Sequence, residues 1–528
     1  MLPLCLYLLS LSDGPSEWDI AELQTVTWVL GIPHPTGFPL FVMTGWAFAH
    51  LLPIGTVAFR VNLLCALCAA AACRLLYETA VVLTASRIVA LVASVWFAVT
   101  DAVWTHAARA DVHDMSLALC AAAIYAGVRF FALRGIGRRF APANAPQGDT
   151  VAPQCDTVAR FDKLSAGSQR DTFLVVSALL WALALAAHLG AVWLLPGMLW
   201  LFAVALVTRR VSSGVALRVV AALAIGAVCY AYLPLRSWWV VSHHVDPAST
   251  LAGMENGTFI WDYNRPSTWA GFWREVTGSD FGASKAFFAA FNLLQLQNAV
   301  WEWFGSLNAQ FGVYGIVAAV VGFYELLRRR WIVAVFLLAS CMGTAIFSYG
   351  YAAEGDPDRY RLLSFWFAAV SIAAAYAPFA RLRFLQVPRV VFTGFLVASL
   401  VGTYVNTAAV HFELAKSTNQ QLIDRVRRVV PPGTLLVTLW PSATTLAYGA
   451  YVEGTFADRL IVPSWPSSAA PHYLAWSKVR PVYVLSTEAV YAAGLVYVPW
   501  RLASGTYLYR FDPKALRGGE TGRRNVRR

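Results

Sequence analysis

Apolar residues are grouped along the chain in blocks of about 20, the length that crosses a bilayer as a helix. Ten such blocks stand out, at 58–80, 88–107, 115–133, 173–189, 191–208, 214–235, 308–327, 331–349, 362–380 and 390–410. The opening stretch 1–12 is apolar but about half the length of a span. It lacks a basic n-region and an A-x-A-like cleavage site, so it fits a signal peptide poorly. It reads instead as the end of a further span whose start lies upstream. The run 38–53 predicts a short interfacial or half-buried helix. The pattern as a whole predicts a polytopic α-helical membrane protein with about 11 transmembrane helices, occupying 1–410.

The periodicity changes after 410. LIDRVRRVVPPGTLLVTLWPSATTLAYGAY reads as helix, Pro-Gly turn, strand and helix, and DRLIVPSW, RPVYVLST and TYLYRF read as further strands. Strands alternating with helices predict a small α/β domain over 411–512, placed outside the cytoplasm, followed by a disordered basic tail at 513–528.

Composition agrees with the spans. Hydrophobic residues make up 58% of the 528 residues and charged residues 13%, about half the ~25% of a soluble globular protein. The formal net charge of +12 would suggest nucleic acid in a soluble chain, but the basic residues mostly separate apolar runs or end the chain. A positive-inside pattern accounts for them, and nucleic acid is not expected as a partner. Arg74 and Arg87, the loop opened by Arg134, Arg138 and Arg139, Arg209 with Arg210, Arg328–Arg330 and Arg381–Arg389 all fall on one side, assigned as cytoplasmic. The opposite side receives the purely acidic loop 13–37, the turn 108–114, the loop 236–306, the loop 350–361 and the C-terminal domain. Of eight cysteines, Cys65 and Cys68 form a C-x-x-C inside a Leu/Ala span with no second ligand pair, which reads as packing.

Candidate chemistry gathers on that outer side. In 16–41, Ser16 and Asp19 resemble a capping box, Gly31 and Pro33 a stop signal, and Ile20, Leu23, Val26, Thr27 and Leu30 recur at helical spacing. This predicts an amphipathic helix at the membrane interface, with Asp19 and Glu22 on one face and His34 just past its end. His106, Arg109, Asp111, His113 and Asp114 crowd a second turn, whose polarity solvation alone could explain. His188 interrupts an apolar run and needs a polar partner. Arg236 ends LPLRS, and Asp356, Asp358, Arg359 and Tyr360 lie in EGDPDRYRLL. The Asp356-Pro357-Asp358 D-x-D is too short to assign a metal site by itself. Phosphate-binding glycine loops, dinucleotide fingerprints and H-E-x-x-H are absent from the sequence. Carboxylates with His at a membrane surface, and Arg at nearby helix ends, suit general-base chemistry on a substrate carrying an anionic phosphate.

The order of these motifs resembles one family. D-x-x-E, LGIPHPTGFPLF, LLPIGTVAFRVNLL, WTHAARADVHDM, AYLPLRS, WDYNRPSTWAGFWREVTG, GDPDRYRLLSFW and PPGTLLVTLWPSATTLAYGAYVEG resemble the domain-of-unknown-function 2723 family over nearly the whole chain. That family is similar to the type C glycosyltransferases that use polyprenyl-phosphate sugars, and its animal member is a protein O-mannosyltransferase. The resemblance implies an inverting transfer to an acceptor hydroxyl. Asp19 and Glu22 match the acids of D-S-G-E, with Ile20 and Ala21 replacing Ser-Gly. His34 and Pro35 match H-P-P-G, with Thr36 for the second Pro. Arg60 and Asn62 match R-x-N, Arg236 the L-P-L-R arginine, and Asp356 and Tyr360 the D…R-Y motif. The family's E-V-Y reads Asp111-Val112-His113.

The resulting expectation assigns Asp19 as general base and Glu22 as its support. Arg60, Arg236 and Arg359 are candidates for the donor phosphate, and His34, Asn62, Asp111, His188, Asp356 and Tyr360 for the pocket. The implied partners are a polyprenyl-phosphate-linked sugar donor, an acceptor protein or glycan, and membrane lipids. A divalent metal is a possible cofactor, with no ligand set assigned. The compact C-terminus favours a prokaryotic inner membrane, with the endoplasmic reticulum as the eukaryotic equivalent. A transporter or flippase for a lipid-linked or anionic solute is the rival class. It would place ionisable residues near the midplane, where only Asp101 comes close.

Overall fold

The computed structural model describes residues 2–133, 156–208, 211–254, 257–282, 292–351, 356–380, 386–456, 458–490, 492–499 and 506–516. Among them, eight helices are long and apolar enough to cross a membrane, or nine if Arg87–Ala98 and Asp101–Ala107, bent by 69°, form one span. The expected single span at 88–107 is therefore broken. One of the eight is the run Leu293–Gly350, interrupted at Gly312 (φ 65°) and at Arg330 (φ −141°). Ser306 near its start and Ser348 near its end both accept hydrogen bonds from the Arg361 guanidinium. A straight helix would hold them about 60 Å apart. The run therefore folds back at Arg330, and its arms correspond to the two spans expected at 308–327 and 331–349. The first expected crossing is represented by Leu2–Leu9, about 12 Å long and too short to span. Tyr7 anchors it, donating its hydroxyl to the Ala98 carbonyl at 3.0 Å. The expected polar loop 134–171 is helical in its second half, where Asp156–Ala187 begins.

Small residues bring the spans into close contact, as they do where lipid offers no hydrophobic drive for association. A Cβ on Gly322 would sit 1.7 Å from the Ser371 carbonyl oxygen of the neighbouring helix Asp358–Ala374. Trp96, Trp104 and Trp366 are fully buried in the same core.

Beyond the last span, Gln386–Lys416, the chain forms a five-stranded sheet: β1 (Leu435–Thr438), β2 (Leu460–Pro463), β3 (Val482–Ser486), β4 (Leu495–Val498) and β5 (Tyr507–Phe511), in the order β2-β1-β3-β5-β4. β1 runs parallel to β2 and β3, and β5 antiparallel to β3 and β4. Sequence periodicity missed β4, a four-residue edge strand with Val496 and Tyr497 exposed. Pro513–Leu516 is a short 3-10 turn, so the expected tail starts in an ordered turn, and 517–528 lie outside the described residues.

The helix Trp440–Tyr451 leaves β1 and packs on Trp18–Val29. Thr445 donates to the Ser16 carbonyl at 2.7 Å, and Ala58 donates its amide to the Tyr448 hydroxyl at 3.1 Å. As a result Ala21–Thr27 are all buried, whereas the sequence predicted an interfacial amphipathic helix. Its polar side chains are satisfied internally. Gln24 donates to Asn62, and Thr25 and Thr27 donate to carbonyls one turn back. The expected capping box does not form either: Glu17 is the N-cap, with no side-chain cap bond.

Gly322→Val should force the two helices apart and lower stability by about 1–3 kcal/mol. This is checked by the thermal unfolding midpoint in detergent, and an unchanged midpoint would contradict the close crossing.

Candidate functional site

Freed from a capping role, Asp19 faces two distant parts of the chain. Its Oδ2 lies 3.0 Å from Arg359 Nη1, and its Oδ1 accepts from Trp440 Nε1 at 3.3 Å. Burial pushes the Asp19 carboxyl up, but the positive His34 and Arg359, with the bonds from Arg359 and Trp440, outweigh it and hold Asp19 below the usual carboxylate range. Glu22, one turn on, is fully buried. It accepts the backbone amide of His34 at 2.9 Å and a very short contact from His34 Nδ1. Burial disfavours a charged His34, yet Glu22 and Asp19 overcome it and lift the imidazole to about 9.

One ligand atom each from Asp19, Glu22 and His34 lies within 4.8 Å of the others, a spacing compatible with a cation. The charge does not favour one. His34 carries a proton at neutral pH and spends Nδ1 on Glu22, while Arg359 neutralises Asp19. As arranged, the group is a balanced ion-pair cluster rather than an open metal cage.

A second cluster adjoins it. Asp111 Oδ2 contacts His106 Nδ1 at 2.7 Å, and Asp111 Oδ1 accepts from the His113 amide at 2.8 Å and from His113 Nδ1 at 2.6 Å. Burial pushes Asp111 up, but the two imidazoles draw it well below the usual carboxylate range. Asp356 closes the far side, 3.4 Å from both His106 Nε2 and Arg109 Nη2. Aromatic rings join the clusters. His113 lies 4.8 Å from Tyr360 and 4.4 Å from His188, His188 stacks on Phe38 at 5.5 Å, and Phe38 meets His34 edge-on at 5.2 Å. Arg359 sits over the Tyr360 ring at 5.1 Å. Beside these groups a partly open cleft lies between spans and is lined by His113, His188, Arg359, Tyr360, Leu117 and Phe347.

Thus Asp19, Glu22, His34, Asp111, His188, Asp356, Arg359 and Tyr360 come together, while three of the expected residues serve elsewhere. Arg60 gives its donors to the carbonyls of Ala49, Ile54 and Gly55, locking the turn before its own helix. Asn62 ties Ser12 to Gln24. Arg236 donates to the Val29 carbonyl at 3.0 Å and stacks over Trp239 at 4.4 Å. There it complements the negative C-terminal end of the Trp18–Val29 helix, about 15 Å along the axis from Asp19.

Two further residues lie within family-like motifs but carry no spacing that singles them out. Trp440 reaches Asp19 and meets Phe259 at 5.0 Å. Glu275 is fully buried, with one oxygen accepting from Asn264 Nδ2 at 3.1 Å and the other against Gly37. Burial pushes Glu275 well above the usual range, only partly offset by the bond from Asn264. The lone glutamate in WREVTG has no motif spacing to mark it.

The architecture defines a class: a multi-pass membrane protein with the type C glycosyltransferase fold. The chain superposes on the crystal structure of ArnT from Cupriavidus metallidurans bound to undecaprenyl phosphate, with a TM-score of 0.55, 12% identity and 97% of each chain covered. Residues 19–213 match the family model of the protein O-mannosyl-transferase TMEM260 N-terminal domain. The mouse protein O-mannosyl-transferase TMEM260 is 27% identical over 221 residues, 42% of this chain and 27% of that protein. The Dictyostelium discoideum tmem260 is 25% identical over 134 residues, 25% of this chain and 16% of that protein. The matches thus span about a quarter or less of those relatives. The chain is protein O-mannosyltransferase-like in sequence over its first part and ArnT-like in fold throughout.

The ordinary imidazole value of 6.5 is raised to about 9 at His34, so its contribution is fully present below about 6.5, declines as pH rises and is gone above about 9. It amounts to about 3 kcal/mol. Unfolding midpoints measured across this window should fall for the wild type and stay flatter for His34→Gln. Parallel profiles would contradict the ion pair.

Proposed function

We propose that the protein is a membrane glycosyltransferase that moves a sugar from a polyprenyl-phosphate-linked donor to an acceptor hydroxyl on the non-cytoplasmic side. The similarity to protein O-mannosyl-transferases supports mannose as the sugar and Ser or Thr of a protein as the acceptor. The undecaprenyl phosphate held by ArnT supports a lipid-phosphate donor. The observation that carries the reading is the convergence of Asp19, Arg359 and Trp440 beside a cleft that is polar at one end and apolar between the spans.

In this reading the donor phosphate draws Arg359 from Asp19, since a guanidinium fork holds phosphate oxygens as well as it holds a carboxylate. Asp19 then takes the proton of the acceptor hydroxyl. That oxygen forms a bond to the anomeric carbon from the face opposite the phosphate, the carbon–oxygen bond to phosphate breaks, and its electron pair leaves on the lipid phosphate. One displacement inverts the anomeric configuration, and the departing phosphate needs no strong acid. Arg359 and Tyr360 stabilise the charge that builds on it. Glu22 and the protonated His34 hold the Asp19 helix against the 34–38 turn. A transport reading expects charges near the midplane, whereas here they cluster at the helix ends around Asp19 and Asp111.

Asp19→Asn keeps the shape of the side chain and removes the base. With labelled polyprenyl-phosphate sugars and purified protein, transfer should fall at least about 100-fold while the protein still expresses and folds, its unfolding midpoint lowered by the unpaired Arg359. Near-normal transfer by this variant would remove Asp19 from the role.

A further inference from the structure

His113 is a candidate that the sequence pattern left within a merely solvated turn. It begins the span Val112–Ala132, its side chain is 10% exposed, and its Nε2 is buried without a hydrogen-bond partner while the ring lines the cleft. Its other nitrogen is committed. Asp111 Oδ1, ionised and able only to accept, lies 2.6 Å from His113 Nδ1, so the ring carries its proton there and leaves Nε2 as a lone-pair acceptor. An orphaned acceptor in a buried site is destabilising unless a ligand satisfies it.

His188 has the opposite polarity. Its Nδ1 accepts from the backbone amide of Gly190 at 3.0 Å, so the proton of its ring sits on Nε2, a donor. Residue 190 must be small for this, because a Cβ there would come 2.6 Å from that Nδ1. The two rings are 4.4 Å apart, and both face the same cleft beside Arg359 and Tyr360. One acceptor nitrogen and one donor nitrogen side by side complement a group that both donates and accepts. Hydroxyls do this, whereas a phosphate at neutral pH chiefly accepts and an ammonium only donates.

We propose that His113 and His188 form a hydroxyl-reading pair, in which His113 Nε2 accepts from, and His188 Nε2–H donates to, hydroxyls of the donor's sugar. This rests on the transferase reading of the same site and adds the specificity element. Asp111 is a positioning residue in this arrangement, because it fixes the His113 tautomer. The cleft favours the donor over the acceptor as the source of the hydroxyl. It descends between spans past Leu117 and Phe347, a path suited to a prenyl chain entering with its sugar at the polar end.

The test is equilibrium binding of polyprenyl phosphate and of polyprenyl-phosphate mannose to the purified full chain in detergent, run beside the transfer assay. Wild type should bind the sugar-bearing lipid about tenfold more tightly than the bare lipid, the equivalent of one or two hydrogen bonds. His113→Phe and His188→Phe should bring that ratio close to one while leaving affinity for the bare lipid phosphate within about twofold. His113→Gln, which keeps an acceptor oxygen, should retain most of the preference. Should the Phe variants fail to fold, a series of deoxy-mannose donors on wild type serves instead, and removal of at least one hydroxyl must erase the preference. A Phe variant that keeps the wild-type ratio overturns the pair, as does wild type binding both lipids equally or every deoxy donor as well as mannose. Wild type that prefers the sugar-bearing lipid but never transfers the sugar leaves the pair standing and overturns the transferase reading.

Discussion

The arrangement depends on one constraint: a carboxylate at the edge of a low-dielectric protein must be compensated or it will not stay ionised. Asp19 meets this with Arg359, 340 positions away, and with Trp440 from the helix that leaves the C-terminal sheet. The pair ties the start of the chain to the last part of the membrane bundle and to the sheet. It also leaves Asp19 deprotonated and Arg359 with a partner that an incoming anion can replace. The contact that stabilises the resting state is therefore the one that binding of a phosphate would rearrange.

The neighbouring clusters follow the same logic at shorter range. Glu22 and His34 compensate one another within a single turn and loop, and Asp111 sits between two imidazoles. Glu22 and Asp111 are each matched by a base from nearby chain, and the aromatic rings of Phe38, His188 and Tyr360 pack between them. Buried networks of this kind rigidify a site because every partly satisfied alternative is costly. His113 Nε2, buried in the cleft without a hydrogen-bond partner, becomes intelligible once a ligand supplies one.

Much of the candidate site was legible in the sequence, and unevenly. Asp19 and Glu22 were marked by helical spacing and His34 by its place after the stop signal, all local features. Arg60, Asn62 and Arg236 matched motifs equally well, yet their side chains serve a turn, an N-terminal tether and a helix C-terminus. A motif records that a residue type is wanted and does not say for which partner. Trp440 and Glu275 show the converse. A tryptophan at the start of a helix and a lone glutamate have no spacing to betray them, and only packing brings them to Asp19 and Gly37.

By itself, the sequence determined that the chain crosses a membrane many times and carries a small α/β domain after the spans. Apolar runs of span length and the short β-branched and aromatic runs of β1, β2, β3 and β5 are local properties, written wherever they occur. Tertiary structure decided the rest. It bent 88–107, folded Leu293–Gly350 back on itself, and buried a helix that reads as interfacial by covering its polar face with Trp440–Tyr451. Of the three arginines expected at the donor phosphate, it set Arg359 alone against the Asp19 carboxylate. The reason is that the partner of a charge is whichever group lies within a few ångströms after folding, and that distance is a property of the packed chain, which residue order alone does not specify.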